Sequence, residues 1–244
     1  MRGKSLSRSR HLGKPVASDA PHDTFGDDCT YRDADHSYWI GLPGVGKKLI
    51  SVTQVFVVAG MMQTRFFTAA SAERGTFLHL ATEYYDRDDV ELDESELDDA
   101  LRPYLDAYKQ FVDDCNPAWT AIEERLADPA LGIAGTVDRV GAFTPPGEKR
   151  RSRVVLDIKS TNRPGSPFHA LQTAAYAHLV SRKLVAAGKV APQRTSKSLI
   201  DRYVLYVNSK GKYRLVEHTD VTDIAVFMGA RSVALWKLEH GLVV

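Results

Sequence analysis

The segment Arg153–Ser160, with the sequence RVVLDIKS, is the feature that most constrains the fold. Its β-branched and apolar residues predict a buried strand, in which successive side chains point to opposite faces. The Asp157 carboxylate and the Lys159 ammonium are therefore expected on one face, while Leu156 and Ile158 point into a core. A chain that buries this strand must accommodate an acid and a base in one pocket.

A second acid precedes this strand. Residues 132–143, GIAGTVDRVGAF, also predict a strand, and the turn-rich TPPGEKRRS that follows is typical of a hairpin loop. Antiparallel pairing would place Asp138 beside Asp157. Because Mg²⁺ prefers oxygen ligands, two carboxylates with the main-chain carbonyl of Ile158 predict a divalent-metal site for phosphodiester cleavage. A D-x-K sequence by itself is equally typical of a salt bridge at a strand end.

A helix is predicted over residues 167–187. Ser166 suits an N-cap, the proline after it suits the first helical position, and apolar residues follow at helical spacing. Gln172 and Tyr176 are four residues apart and share a face of this helix. In that position Gln172 would bind Lys159 or a phosphate, and Tyr176 would contact a nucleic-acid backbone or base. A surface glutamine and a half-buried core tyrosine are the alternative interpretation.

Together these motifs resemble the PD-(D/E)xK nuclease superfamily, and specifically the cluster-free members of its RecB-like exonuclease branch. The resemblance is carried by GTVD at Asp138, LDIKST around Asp157 and LQxxxYA at Gln172, and extends over about residues 38–207. It implies an α/β (α+β) fold with a restriction-endonuclease-like core, in which helices flank a central mixed sheet. It also implies a DNA exonuclease with Mg²⁺ or Mn²⁺ as cofactor, whose catalytic residues are Asp138, Asp157 and Lys159.

The resemblance adds candidates on an upstream helix, predicted over residues 71–86. The sequence RGTFLH, from Arg74 to His79, matches the setting in which this branch carries a metal-binding histidine. Imidazole binds transition metals such as Mn²⁺, whereas a lone helical histidine is usually structural or exposed. The implied metal ligands are His79, Asp138, Asp157 and Ile158, and the implied substrate-binding residues are Gln172, Tyr176 and Arg74.

Two further positions are ambiguous in the sequence. Glu123 and Glu124 are adjacent in a predicted strand that precedes the Asp138 strand. Adjacent strand residues face opposite sides, so only one of them can point inward, and Glu124 is taken as the candidate acid. Ser51 with Gln54 fits a capping box at a helix start, although contact between Ser51 and DNA is an alternative.

The charge is nearly balanced at +1, but it is segregated along the chain. Residues 86–99 hold nine acids against one arginine, whereas residues 182–214 hold nine lysines and arginines against one acid. The basic group Lys149–Arg153 in the hairpin loop is expected beside the predicted site. This pattern is typical of a protein that guides DNA past basic loops, although ordinary solvated faces would give the same composition.

Composition limits the class of protein. With 244 residues, 43% of them hydrophobic, the chain has enough apolar surface for one core, and residues 26–244 are predicted to form a single nuclease domain. Residues 1–25 are basic and poor in apolar side chains, which predicts a disordered tail that contacts DNA. A mitochondrial transit peptide is the less favoured interpretation of this tail.

Cysteine content and hydropathy predict the cellular setting. Cys29 and Cys115 are too few to bind a four-cysteine iron–sulfur cluster, so no cluster is expected. No apolar run reaches the length of a membrane span and no secretory signal is visible. These features predict a soluble, intracellular, cytoplasmic protein without membrane contact.

The same site would serve a structure-specific or restriction-like endonuclease. A DNA-binding recombination scaffold that has lost the chemistry is a further alternative, and recombination or repair proteins are candidate partners. The predicted elements are a hairpin near Tyr38–Ile50, helices near Val52–Ala59, Ser71–Asp86 and Glu94–Cys115, three strands through Ser160, the helix over 167–187, strands near Ile200–Tyr206 and Lys212–His218, and a last helix over Thr222–Glu239.

Overall fold

The computed structural model describes residues 23–25, 28–62, 68–87, 92–161, 165–189 and 200–242. The strands in this part of the chain are β1 (Asp23–Phe25), β2 (Cys29–Arg32), β3 (Ser37–Ile40), β4 (Lys47–Ser51), β5 (Ala118–Asp128), β6 (Ile133–Phe143), β7 (Ser152–Ser160), β8 (Asp201–Val207) and β9 (Tyr213–Glu217). The helices are α1 (Val52–Ala59), α2 (Ala69–Asp86), α3 (Arg102–Cys115), α4 (Pro167–Ala186) and α5 (Asp223–Glu239).

The strands form one mixed sheet. Its order is β1-β2-β3-β4-β6-β7-β8-β9, and β5 pairs with β6 outside this path. The pairs β4–β6 and β7–β8 are parallel, whereas the others are antiparallel. The two strands that carry Asp138 and Asp157 are therefore central, and the predicted hairpin between them is confirmed.

The central strands β6 and β7 form a fork. Their antiparallel ladder extends from the hairpin loop as far as Arg139 opposite Leu156. Beyond that pair β7 continues beside β8, while β6 pairs with β4 at residues 133–134. Because β5 occupies the other edge of β6, residues 135–138 border an opening between β4 and β7.

Helices cover both faces of the sheet. α1, α4 and α5 pack on one face, where Phe227 shares a buried cluster with Val155. α3 packs on the other face with part of α2, and there Phe111 lies in a cluster with Leu156 and Ile158. Alternation therefore places Asp157 on the face opposite to Leu156 and Ile158, as predicted, and directs it toward the α4 layer. The expected α/β fold, a mixed central sheet flanked by helices, is confirmed.

The helix predicted over Glu94–Cys115 is wrong in its first part. Residues Glu94–Glu96 form a short 3₁₀ turn, and α3 begins only at Arg102. Pro103 explains this start, because a residue without a backbone N–H is tolerated in the first helical turn but not within the helix. The strands β1 and β2 were not predicted, since three or four residues are too few to reveal alternation.

The start of the chain was predicted to be a disordered tail over residues 1–25. The predicted disordered tail lies outside the described residues over 1–22, and its last three residues form β1, which pairs with β2. The division into a tail and a single domain stays a prediction.

At the start of α1, Ser51 accepts a hydrogen bond from the Gln54 backbone, and the Gln54 side chain accepts one from the Ser51 backbone. The predicted capping box is therefore confirmed.

A buried arginine links the helices α2 and α3 to the central strands. Arg139 in β6 has no exposed surface, and its Nε donates to Asp86 at 2.6 Å. Asp86 also accepts from the Tyr108 hydroxyl at 2.5 Å. Nη1 of Arg139 donates to Glu123 at 3.2 Å and to the main-chain carbonyl of Asp138 at 2.7 Å. This network ties α2 and α3 to the strands that carry the predicted site.

Arg139→Met is expected to destabilise the protein by about 3–5 kcal/mol, because it leaves the buried Asp86 carboxylate without its cation. Urea unfolding of the metal-free protein, followed by circular dichroism, measures this effect. Arg102→Met is the matched control, since Arg102 pairs with Asp99 at the surface and should change stability by less than about 1 kcal/mol. Equal losses in the two variants would contradict a structural role for the buried network.

Candidate active site

The Asp138 side chain lies in the fork between β6 and β7. Its Oδ2 accepts a hydrogen bond from the Ile158 backbone N–H at 2.6 Å, where the main-chain ladder between the strands has ended. The N–H and C=O of one strand residue point to the same side. The Ile158 carbonyl therefore faces the side of Asp138, and its role as a metal ligand stays a prediction. Asp138 is 6% exposed and thus almost withdrawn from solvent.

Asp157 and Lys159 meet as the alternation of β7 requires. The Lys159 ammonium donates to Asp157 Oδ1 at 2.8 Å. The second oxygen, Oδ2, is buried without a hydrogen-bond partner, and Asp157 has no exposed surface. Leaving a carboxylate oxygen buried and unpaired is unfavourable. An oxygen in this state is a suitable ligand for a cation that enters the fork.

The upstream helix brings His79 to this cluster. Its Nδ1 lies 3.6 Å from Asp138 Oδ2 and 3.3 Å from Glu123 Oε1. Ligand atoms of His79, Glu123 and Asp138 all lie within 4.8 Å of one another. The predicted meeting of His79 with Asp138 is thus present, and Glu123 is a third acidic member that the sequence analysis did not select.

The choice of Glu124 as the inward-facing acid is wrong. Its carboxylate pairs with Lys183 of α4, away from the His79 cluster. Glu123 takes the inward position with a backbone φ of +48°, a left-handed conformation that is rare for a residue other than glycine. Alternation shows that only one of the two glutamates can face inward, but it does not show which.

Charges in the cluster shift the pKa values of its members. Burial lowers the pKa of His79, but the carboxylates of Asp138 and Glu123 outweigh this effect and raise it to about 9. Burial raises the pKa of Asp138, against the effect of the His79 cation. The metal-free protein therefore holds a protonated His79 beside Asp138 and Glu123 at neutral pH.

The Asp157–Lys159 pair is also perturbed. Burial raises the pKa of Asp157, and the Lys159 ammonium opposes that rise. Burial lowers the pKa of Lys159, but the Asp157 carboxylate outweighs it, so the pKa of this lysine is raised above its usual value. Lys159 accordingly remains an ammonium and acts as a fixed positive charge.

Gln172 and Tyr176 lie on the face of α4 that covers the fork. Gln172 Nε2 donates to the Tyr176 hydroxyl at 3.0 Å, and both residues are buried. Among the described residues no hydrogen bond joins Gln172 or Tyr176 to Lys159, so the role of the pair in substrate binding stays a prediction. The Tyr176 ring approaches β6 at Gly135, where a Cβ atom would lie 2.9 Å from its Cε1. Glycine at this position permits the close packing of α4 on the fork.

The structure does not bring Arg74 to the acidic cluster. Arg74 and His79 are five residues apart in α2, which places them about 140° apart around the helix. The guanidinium of Arg74 lies over the Tyr104 ring at 5.8 Å. It lines a separate cavity of about 780 Å³ between α2 and the start of α3. Its predicted contact with substrate stays a prediction.

The basic hairpin loop lies farther from the cluster than predicted. The loop that contains Lys149–Arg151 joins β6 to β7 at the start of β7, whereas Asp157 follows Ser152 by five residues. At about 3.3 Å per residue, this separation is about 17 Å along the strand. The prediction that the basic group Lys149–Arg153 lies beside the site is therefore wrong for Lys149–Arg151, whereas Arg153 lies within β7, four residues before Asp157. Of the other charged segments, residues 88–91 and 190–199 lie outside the described part of the chain.

The donor set fits a divalent cation. Carboxylates suit Mg²⁺ and Mn²⁺, and one imidazole is compatible with Mn²⁺ in particular. The unpaired Oδ2 of Asp157 and the cluster of His79, Glu123 and Asp138 supply these atoms around the fork. The described residues thus provide an oxygen-rich site with one nitrogen donor, as expected for a hydrolytic metal centre.

This fold and this set of residues define the class of protein. The chain belongs to the PD-(D/E)XK nuclease superfamily, because the model of that family matches residues 58–201, more than half of the chain. The matched range includes Asp138, Asp157 and Lys159. The resemblance seen in the sequence is confirmed at this level, and placement in the RecB-like branch stays a prediction.

Similar solved structures include the alkaline exonuclease LHK-Exo from Laribacter hongkongensis, with 13% sequence identity and a TM-score of 0.42. The match covers 79% of this chain and 89% of that chain. The structure of LHK-Exo in complex with dAMP is similar at 12% identity and a TM-score of 0.34, with the same coverage. No curated protein matches this chain.

Within the described residues, no helix combines the length and apolar character needed to span a bilayer.

Proposed function

We propose that this protein is a metal-dependent deoxyribonuclease that acts as an exonuclease on DNA ends or single strands. The observation that carries the proposal is the convergence of Asp138, Asp157 and Lys159 in the fork between β6 and β7, beside His79. Membership of a nuclease superfamily supports a nucleic-acid substrate. The resemblance to the RecB-like branch supports DNA and an exonucleolytic mode.

The proposed ligands of Mg²⁺ or Mn²⁺ are Asp138, Asp157, His79 and the Ile158 carbonyl, and Glu123 adds a carboxylate to the same cluster. When bound, a divalent cation supplies Lewis acidity, which acidifies water and offsets negative charge on a phosphate. The donor set favours hard cations, because oxygen atoms outnumber the single imidazole nitrogen.

The residues of the chain orient and stabilise the reacting groups. The Lys159 ammonium is held in place by Asp157, so it is preorganised to donate to a phosphate oxygen and to offset the charge that grows there. Its raised pKa keeps the proton on the amine, which favours this electrostatic role over removal of a proton from water. Gln172 and Tyr176 form the wall of the fork on the α4 side, and in this proposal they contact the DNA strand.

Two alternatives use the same residues differently. A structure-specific or restriction-like endonuclease would need the same cation and the same lysine, but no DNA end. A non-catalytic recombination scaffold would keep the fold and would not need the buried, unpaired oxygen of Asp157. The unfavourable burial of that oxygen supports a catalytic site over the scaffold.

A time course with linear DNA labelled separately at each end tests the proposal, with and without EDTA. An exonuclease releases label from one end before the other, leaves a closed circular DNA intact, and stops when EDTA removes the cation. Cleavage of the closed circle would instead establish an endonuclease. Binding of DNA without cleavage in either Mg²⁺ or Mn²⁺ would favour the scaffold.

A further inference from the structure

The first turn of α4 carries a histidine that faces the proposed site. His169 precedes Gln172 by three residues and Tyr176 by seven, and this spacing places all three on one face of the helix. Nδ1 of His169 lies 2.9 Å from the Tyr206 hydroxyl, and the two ring centroids are 5.6 Å apart. The polar face of α4 therefore extends one turn beyond the glutamine and tyrosine found in the sequence.

Tyr206 connects this histidine with the catalytic lysine. Tyr206 and Lys159 are paired in the parallel register of β8 and β7, so their side chains stand beside each other on one face of the sheet. Tyr206 is 2% exposed, and its hydroxyl lies 2.9 Å from Nδ1 of His169. His169 is thus held next to Lys159 by a buried, fixed side chain.

The bond between Tyr206 and His169 allows the ring to carry its proton on Nε2. A neutral imidazole has one N–H and one acceptor nitrogen, and the Tyr206 hydroxyl can donate its hydrogen to Nδ1 of His169. Burial and the nearby Lys159 ammonium lower the pKa of His169 to about 4, so the ring is neutral at physiological pH. When Nδ1 accepts the Tyr206 hydrogen, the proton of the ring lies on Nε2.

Nε2 of His169 is available to a ligand. Among the described residues no side chain or main-chain group hydrogen-bonds this atom, and His169 is only partly buried. A neutral N–H donor beside an ammonium suits the two oxygens of one phosphate, because each donor can take a different oxygen without mutual repulsion.

We propose that His169 is a substrate-contact residue, whose Nε2–H donates to a phosphate oxygen of the DNA strand beside Lys159. This inference rests on the proposed function and specifies how the phosphodiester backbone is recognised. Tyr206 is the positioning residue that directs the ring. The contact concerns the backbone, so it is independent of the DNA sequence.

Two substitutions separate this role from a structural one. His169→Gln places an amide near the position of Nε2 and loses the bond to Tyr206, whereas His169→Asn places an amide near Nδ1 and loses the donor to substrate. Binding of a fluorescein-labelled single-stranded oligonucleotide is measured by anisotropy in EDTA, where neither metal nor turnover contributes. We expect His169→Asn to weaken binding about tenfold and His169→Gln to stay within about threefold of wild type.

The order of the two variants decides the outcome. A purely structural histidine would tolerate asparagine, which keeps the Tyr206 bond, and would be damaged by glutamine, so that reverse order overturns the inference. Equal binding by both variants and wild type overturns it as well. Cleavage of the same oligonucleotide by wild type in Mg²⁺ or Mn²⁺ tests the proposed function separately, because the binding assay contains no metal. Thermal unfolding of each variant identifies any loss that reflects folding alone.

Discussion

Replacing Asp157 with asparagine is expected to slow DNA cleavage on the order of a thousandfold. Asparagine keeps the shape of the side chain and can still accept a hydrogen bond from Lys159 through its amide oxygen. It removes the negative charge, and with it the buried carboxylate oxygen that has no protein partner. The initial rate of cleavage of end-labelled DNA, measured with excess Mg²⁺ or Mn²⁺, quantifies the loss.

Folding of this variant has to be shown independently. Because the substitution is nearly isosteric, its thermal midpoint is expected within about 4 °C of wild type, which corresponds to about 1 kcal/mol for a chain of this size. A wild-type rate in the folded, metal-loaded variant would remove Asp157 from the mechanism. A collapse of the thermal midpoint would show that the residue is needed for folding instead.

Lys159→Met is expected to lose activity on a similar scale, because it deletes the ammonium that offsets charge on the phosphate. Lys183→Met is the matched control, since Lys183 pairs with Glu124 on the outer side of β5 and α4. The control should cleave DNA at a rate within about threefold of wild type, as is usual for a surface ion pair. Comparable losses in both lysine variants would contradict a specific role for Lys159.

The part of the site that the sequence predicts is the part that strand geometry determines locally. Asp157 and Lys159 are two residues apart in a strand, so they share a face in any sheet that contains it. Asp138 joins them because a hairpin brings β6 beside β7. The short range of these relations explains why they follow from the sequence, whereas the approach of His79 in α2 required a resemblance to known nucleases.

Other features depend on contacts that no local pattern encodes. The inward position of Glu123 needs a left-handed backbone inside β5 and a bond from the buried Arg139. The position of His169 beside Lys159 needs Tyr206 of β8, a strand that follows α4 in the sequence. The basic hairpin loop was expected beside the site, but it lies at the start of β7. Composition indicates the charge of a segment and not its distance from the site along a strand. Each of these features arises from tertiary packing.

Glu123→Gln is expected to reduce the affinity of the protein for Mn²⁺ by about ten- to a hundredfold, the range typical for loss of a group that binds or orients at a metal site. Glu123 Oε1 lies 3.3 Å from His79 Nδ1 and 3.2 Å from Arg139 Nη1, and the glutamine oxygen can retain the bond from Arg139. The variant therefore removes charge from the cluster with little change in packing. Calorimetric titration of the metal-free protein with Mn²⁺ alone measures the change.

Glu124→Gln provides the control at the neighbouring position in the chain. Its side chain pairs with Lys183 and does not reach the His79 cluster, so the affinity for Mn²⁺ should stay within about twofold of wild type. A larger loss in Glu124→Gln than in Glu123→Gln would mean that β5 presents the other glutamate to the metal. Such a left-handed backbone persists only where surrounding contacts compensate for its strain. Metal binding by Glu124 would leave this conformation at Glu123 without a functional explanation.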